Sequence, residues 1–331
     1  MFPRTAELHI SAPRVIRAVI LALAVFASFS QHARAQEDTA HVEIGMFVAS
    51  VFDLDFYNGT YKTIFWVWFI HDDPDYDPLE AIEITNARQY EVMESYGYTR
   101  ADGRFYVAAK LRATINQPWD IADFPFDTQR LDIVLESVGK DSNELTFDVD
   151  RANSVNGPEL HLDGWNLRPV QATTTVFQYN TTFGEESGNL LSFPRVQFYI
   201  SMERDNPKLF FEAYIGYMIA FLMCAVIWLT RTMNMPDYRI GMILAATFVT
   251  IGNKNTLESN YPPSPRLGLA DQIEAATFIL IVCSMVIAVG AERLAISGRP
   301  QLAEKINRFG MPLILVIYLA QITHFVMLAH S

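Results

Sequence analysis

The sequence predicts a chain in two parts, an exported all-β sandwich followed by a bundle of four membrane-crossing helices. Three observations predict it. Between residues 41 and 204, short β-prone runs alternate with clusters of Gly, Pro, Asn and Asp, a spacing that suits antiparallel sheets packed face to face better than a parallel α/β sheet. After Pro207 the composition turns apolar, with spans near 209–230, 237–260, 268–290 and 309–329 that are long enough to cross a bilayer. Half of the 331 residues are apolar, which fits a chain partly embedded in lipid.

Arg4, Arg14 and Arg17 precede an apolar run over 18–29 and then Ala33-Arg34-Ala35, the layout of a secretory signal over residues 1–35 with a small-x-small cleavage site. The run is too short to span a bilayer. Residues 36–207 are therefore expected on the far side of the membrane. They hold 29 Asp and Glu against 12 Lys and Arg, a balance that repels nucleic acid and gathers cations, and that also simply keeps a domain soluble. The two cysteines, Cys224 and Cys283, both lie in apolar segments, so no disulfide is expected to staple the exported part. No Ser-His-Asp, Cys-His or zinc-ligand grouping stands at a usable spacing, so neither enzyme chemistry nor a cofactor is expected.

Taken in order, Val42, Ile44, Met46, Val48 and Val51 alternate into a turn at 53–59, and YKTIFWVWFI at 61–70 supplies a β-prone partner for a hairpin. Further strand runs follow at 80–85, 104–116, 130–137, 144–149, 164–179 and 193–203. Basic residues after the first span (Arg231) and after the third (Arg293, Arg299, Lys305 and Arg308) place those loops in the cytoplasm, which agrees with an exported amino terminus.

The second span differs from the rest. Residues 236–263 include Arg239, Asn253, Lys254, Asn255 and Glu258, a face that lipid does not tolerate. Asp237, Gly241, Ala245, Phe248, Gly252, Asn255 and Ser259 recur every three or four residues, so they share one stripe that is small or polar except at Phe248. Such a stripe suits a wall facing water inside the membrane; tight packing through small residues reads equally well from this segment alone.

Phe124-Pro125-Phe126-Asp127-Thr128-Gln129, seated between two strand runs, resembles the signature loop of the pentameric ligand-gated ion channels, the Cys-loop receptors. WVWFIHDDP at 66–74, ADGRFYVAAKLRATI at 101–115, GW at 164–165, Arg204, and ESNYPPSP ahead of ADQIEAATFI follow in that family's order, so the likeness runs from about residue 41 to the end. It implies an extracellular immunoglobulin-like sandwich on a four-helix membrane domain, assembled as a homopentamer with the second helix lining a central conduit. Ringing identical stripes around an axis also encloses water, which one amphipathic helix cannot do. Gln117 and Leu131 stand where eukaryotic members place the loop cysteines, as in the bacterial branch. Gly216 stands where a proline is common, and the short 291–308 segment leaves no room for a large cytoplasmic domain.

The resemblance also implies roles. Rings of Asp237 at the cytoplasmic mouth and Glu258 near the outer mouth are expected to favour cations. Arg239 lies about 200° around the helix from Asp237 and should point off the stripe, as should Lys254, which sits one turn from Glu258. Phe248 is the expected gate, closing by dewetting, although a phenyl ring there also fits interhelical packing. Coupling is expected through Asp55 in the 53–61 turn, Phe124, Pro125, Phe126 and Asp127, Arg204, and the 261–268 linker stiffened by Pro262, Pro263 and Pro265. Arg204 is expected to pair with Asp127 or Asp55.

For the ligand, Val138 and Lys140 stand where amine-binding members place cage aromatics, and His71 where the adjoining face offers Trp, so a cationic ligand is disfavoured. Phe177, Tyr179 and Phe183 remain candidates under a capping loop at 179–193, and each also fits strand core. Protons acting through His71 and the carboxylates are a second trigger. Asp73, Asp75 and Asp77 offer alternate oxygen ligands for calcium but lack the glycine and terminal Glu of an EF-hand. The expected function is a cation-conducting channel opened by a small extracellular ligand or by protons at the subunit interface. Its partners are further copies of itself, membrane lipid, inorganic cations and that ligand, with no nucleic acid. The alternative is a membrane-tethered ligand sensor that conducts nothing.

Overall fold

The computed structural model describes residues 39–184, 190–205, 207–229, 236–262, 264 and 266–330. The signal segment expected at 1–35, together with Pro263 and Pro265, lies outside the described residues.

The first hairpin forms from β1 (Ala40–Asp55) and β2 (Thr60–His71), with Ile44 opposite Phe69, Met46 opposite Val67 and Val48 opposite Phe65. Period-two alternation sends Val42, Ile44, Met46 and Val48 to one face, and all four are buried. The run expected as a strand at 80–85 divides instead into a one-turn helix, α1 (Pro78–Ala81), and β3 (Ile82–Ile84). Asp77 caps α1 by accepting the Leu79 N–H at 2.9 Å, and Pro78 supplies the fixed φ of a first helical residue.

β4 (Ala87–Thr99), absent from the strand runs above, pairs with β5 (Phe105–Asn116). Beyond Ala87 it is exposed along its whole length, so it lacks the buried alternation by which a strand is recognised. The remaining strands are β6 (Thr128–Ser137), β7 (Leu145–Val149), β8 (Val155–Asn156), β9 (Trp165–Leu167), β10 (Gln171–Gln178) and β11 (Ser192–Arg204).

One sheet runs β4-β5-β2-β1-β7 with β8 also on β1, and the other runs β10-β11-β6-β3 with β9 also on β11. Pairing is antiparallel except that β7 and β8 lie parallel to β1, a departure from the purely antiparallel expectation. The core between the sheets holds Ile44, Phe65, Leu111, Ile133, Val196 and Phe198.

Four long helices follow: α2 (Pro207–Leu229), α3 (Pro236–Asn260), α4 (Leu269–Ile296) and α5 (Pro300–Ala329). Among the described residues, α2, α4 and α5 are long and apolar enough to cross a membrane, whereas α3 is as long but too polar for that composition. α5 begins at Pro300, ahead of the apolar span at 309–329, because a proline in the first turn lets the helix start before its apolar stretch. Ala220, Cys224, Ile243, Ala246, Leu280 and Met311 pack the four together.

Candidate functional site

α3 has two unlike faces. Toward its own bundle it turns Arg239, Ile243, Ala246 and Thr250, all buried. The Arg239 guanidinium donates through Nη2 to the Asn307 side-chain oxygen and, at 3.4 Å, to the Ile227 carbonyl; its buried Nε has no partner among the described residues. Thr250 donates to the Ala246 carbonyl at 2.8 Å.

Asn253 reaches into the backbone of α2. Its Oδ1 accepts the Gly216 N–H at 2.9 Å and its Nδ2 donates to the Ala213 carbonyl at 2.9 Å. Glycine is required for this approach, since a Cβ at Gly216 would lie 2.6 Å from the Asn253 Cβ. The residue that stands at a common proline position thus serves helix contact.

The opposite face carries Asp237, Gly241, Phe248, Gly252, Asn255 and Ser259, all exposed, with Ala245 half-buried. Phe248 is 65% exposed, so within one chain it is not core. A Cβ added at Gly241 or Gly252 would meet nothing within 4 Å. Lys254 contacts Glu274 at 3.0 Å and Glu258 at 3.5 Å, so Glu258 already has a cation beside it.

A second feature is the junction of sandwich and helices. Of the two carboxylates considered for Arg204, Asp127 takes it: Nε donates to Asp127 Oδ1, and both side chains are buried. Asp55 instead closes its own turn, accepting the Asn58 backbone N–H at 2.8 Å and side-chain amide at 2.7 Å, bonds that hold its carboxyl below the usual range. Four rings surround the Arg204 guanidinium, with centroids at 4.3 Å for Trp165, 4.9 Å for Phe124, 5.1 Å for Phe56 and 5.8 Å for Tyr261. They come from the β1–β2 turn, the signature loop, β9 and the residue just past α3, so one cation gathers four segments.

Further contacts fasten the signature loop to the helices. Tyr214 donates to the Phe124 carbonyl at 2.7 Å, and Phe126 packs its ring against Phe210 and His330. The Leu269 N–H donates to the Ala122 carbonyl at 2.7 Å, while Arg266 reaches Asp120 at 3.2 Å and Asp123 at 2.9 Å. Pro125 lies between the two anchored phenylalanines, and Pro262 follows Tyr261, half-buried. Gln117, at a loop-cysteine position, ties the loop's two ends by accepting the Asp132 N–H at 3.4 Å, beside the buried Leu131.

The ligand candidates fall into two separate groups. Phe177, Tyr179 and Phe183 form an edge-to-face chain with centroid spacings of 4.8 and 5.1 Å, which Phe193 extends at 6.0 Å from Tyr179. Val138 is exposed beyond the end of β6. Lys140 turns toward the other group, its Nζ 4.9 Å from the Tyr76 ring centroid and 3.3 Å from Asp73.

His71 belongs to that second group and is buried, its ring stacked on Phe105. Nδ1 lies 2.8 Å from the Asp73 carbonyl, which can only accept, so Nδ1 carries the proton. Burial pushes the imidazole below its ordinary pKa, against the pull of nearby Asp73, Asp72 and Asp77. The calcium candidates do not converge: Asp73 Oδ1 accepts the Asp75 N–H at 3.0 Å, Asp77 caps α1, and among the described residues no group of three or more ligands is placed to hold a metal.

Sequence reasoning missed Phe56, Trp165 and Tyr261 as ring walls and Arg195 altogether. Phe56 lay within the 53–61 turn, Trp165 in the GW motif and Tyr261 at the head of the 261–268 linker, whereas Arg195 carried no signal.

No family model matches the chain. Among curated proteins it is 25% identical over 157 residues to one named pH-sensitive chloride channel 2 from Anopheles gambiae, a match covering 46% of this chain and 25% of that one. It is 27% identical over 162 residues to gamma-aminobutyric acid receptor subunit pi of Rattus norvegicus, covering 47% of this chain and 35% of the receptor subunit. The Bos taurus subunit of that name is 26% identical over 161 residues, with the same coverage. The matched region thus spans a quarter to about a third of the relatives' own length. These relatives are channels and receptors of the Cys-loop pentameric family, and the chain is related to that family. It is a membrane protein with an extracellular β-sandwich domain and several apolar helices.

Proposed function

We propose that copies of this chain assemble as a pentamer around a water-filled path lined by α3, and that the path opens when a small ligand or protons act on the extracellular sandwich. The observation that carries this reading is the outward face of α3. Its stripe is small or polar except at Phe248, is exposed but for the half-buried Ala245, and belongs to a helix too polar to face lipid. A sensor without conduction leaves that face without a role.

Arg239 is drawn inward by Asn307, so the acidic Asp237 stands without a basic neighbour on the stripe. Asp237 therefore carries the preference for cations, because Glu258 is offset by Lys254. The name of the mosquito relative points to the other sign of ion, and a reversal potential distinguishes the two. The junction around Arg204 would carry motion of the sandwich to α3 through Tyr261 and to α2 through Tyr214. Of the two triggers, His71 answers protons only below its ordinary range, because burial holds it neutral near pH 7.

Planar-bilayer recording from the full chain tests the whole reading. Currents are expected, and cysteines introduced at Gly241, Ala245 and Gly252 should react with water-soluble thiol reagents and block them. Silence under steps of pH and a panel of small amines and carboxylates, with all three cysteines inert, would falsify it.

A further inference from the structure

Arg195, on β11, sits where the aromatic candidates converge. Its Cζ lies 3.9 Å from the Phe177 ring centroid, within the range of a cation over a ring face. Nε donates to Glu136 Oε2 at 2.7 Å, and Tyr179 donates its hydroxyl to Glu136 Oε1 at 2.6 Å. Glu136 itself is almost wholly buried, with both oxygens taken. Three neighbouring strands contribute, since β10 pairs with β11 and β11 with β6.

The pieces an ammonium ligand needs are therefore already engaged by the chain. The face of Phe177 holds a guanidinium, the Tyr179 oxygen is committed to Glu136, and the one buried carboxylate is neutralised. A second cation brought here meets like charge at the ring. Nη2 also meets Glu136 Oε2 at 2.5 Å and the Tyr179 oxygen at 3.5 Å, yet the guanidinium is not closed off, because the side chain keeps 19% exposure. Beside it Phe177 is 41% exposed and Phe183 61%, an apolar flank next to the outer edge of the guanidinium, away from Glu136. A planar carboxylate with a small apolar body matches both, because guanidinium and carboxylate pair edge to edge.

We propose that Arg195 sets the specificity of this site: it occupies the cation's place on Phe177, excludes ammonium ligands, and receives the carboxylate of a small apolar acid. The inference rests on the reading that a small ligand docks beside the capping segment, and it names the class of that ligand.

Benzoate and benzylamine share a ring and differ in charge, so they isolate the claim. Isothermal titration into the detergent-solubilised full chain should give binding of benzoate and none of benzylamine. Arg195→Lys keeps a charge for Glu136, and so keeps the fold, but loses the planar fork; it should weaken benzoate by about tenfold or more. Arg195→Gln, if it folds, should abolish benzoate binding and admit benzylamine. The inference is overturned if wild type binds benzylamine, if benzoate does not bind, or if Arg195→Lys binds benzoate as wild type does. Binding in detergent does not need conduction: a silent pore that binds benzoate sinks the channel reading alone, and a working pore indifferent to ligand charge sinks this one alone.

Discussion

The inward and outward faces of α3 carry polar residues of similar kind and treat them in opposite ways. On the inward face Arg239 sends its Nη2 to Asn307 and Ile227, and Asn253 spends both its polar atoms on the backbone at Ala213 and Gly216. On the outward face Asp237 and Asn255 are exposed and reach no other element among the described residues, and Ser259 bonds only within its own helix, to the Thr256 carbonyl at 2.9 Å. A polar group in an apolar setting costs several kcal/mol unless it is paired. The chain meets that demand itself on one face, and leaves it to water on the other. This difference gives the helix a direction, and it predicts that substitutions on the two faces fail in different ways.

The largest effect should come from Asn307→Ala. It removes the neutral side-chain acceptor of the buried Arg239 guanidinium and leaves it the Ile227 carbonyl and the nearby charge of Glu292, the loss of a hydrogen bond to a charged group that is worth about 1.5–3 kcal/mol. The solubilised protein should melt much earlier or fail to accumulate. A melting temperature equal to wild type would mean that Arg239 is not held by the inward face at all.

Gly216→Ala comes next. The added Cβ would fall 2.6 Å from that of Asn253, an overpacking worth about 1–3 kcal/mol. Combining it with Asn253→Gly should be less damaging than the sum of the single changes, since the second removes the Cβ, Cγ and Oδ1 atoms the first collides with. Additive losses in thermal melting would place the two residues apart.

Much of this geometry is legible in the sequence because it is periodic. The stripe from Asp237 to Ser259 follows from the helical repeat, and the burial of Val42, Ile44, Met46 and Val48 follows from strand alternation. Contacts across long separations leave no such trace. Nothing near Arg239 announces Asn307, 68 residues away, and nothing near Arg204 chooses Asp127, 77 residues away, over Asp55. Once folded, the choice has a plain cause: Asp55 is spent on Asn58, while Asp127 is oriented by Gln129, whose Nε2 donates to it at 2.6 Å. β4 escaped notice for the converse reason, because a strand exposed on both faces has no apolar alternation to betray it. Arg195 escaped because a lone basic residue in a strand reads as solvated surface until Phe177 and Glu136 are seen around it.

On the outward face the expected changes in stability are small and the changes in function are not. Phe248→Ala removes an exposed ring and should alter melting by no more than about 0.5 kcal/mol, yet, on the proposed channel reading, shift the open probability markedly by removing the one bulky apolar member of the stripe. A destabilised protein with unchanged gating would put Phe248 in a helix contact between copies.

Asp237→Asn should be the mildest change of all for folding, because the carboxylate has no partner among the described residues, and it isolates the electrostatic part of the comparison. Under a salt gradient its reversal potential should move toward that of chloride. Glu258→Gln should move it less, since Lys254 at 3.5 Å already offsets that charge. If Asp237→Asn leaves the reversal potential where it was, the carboxylate does not border the ion path. The sign of selectivity must then be set by backbone or by Lys254, once its own acidic partners Glu258 and Glu274 are accounted for.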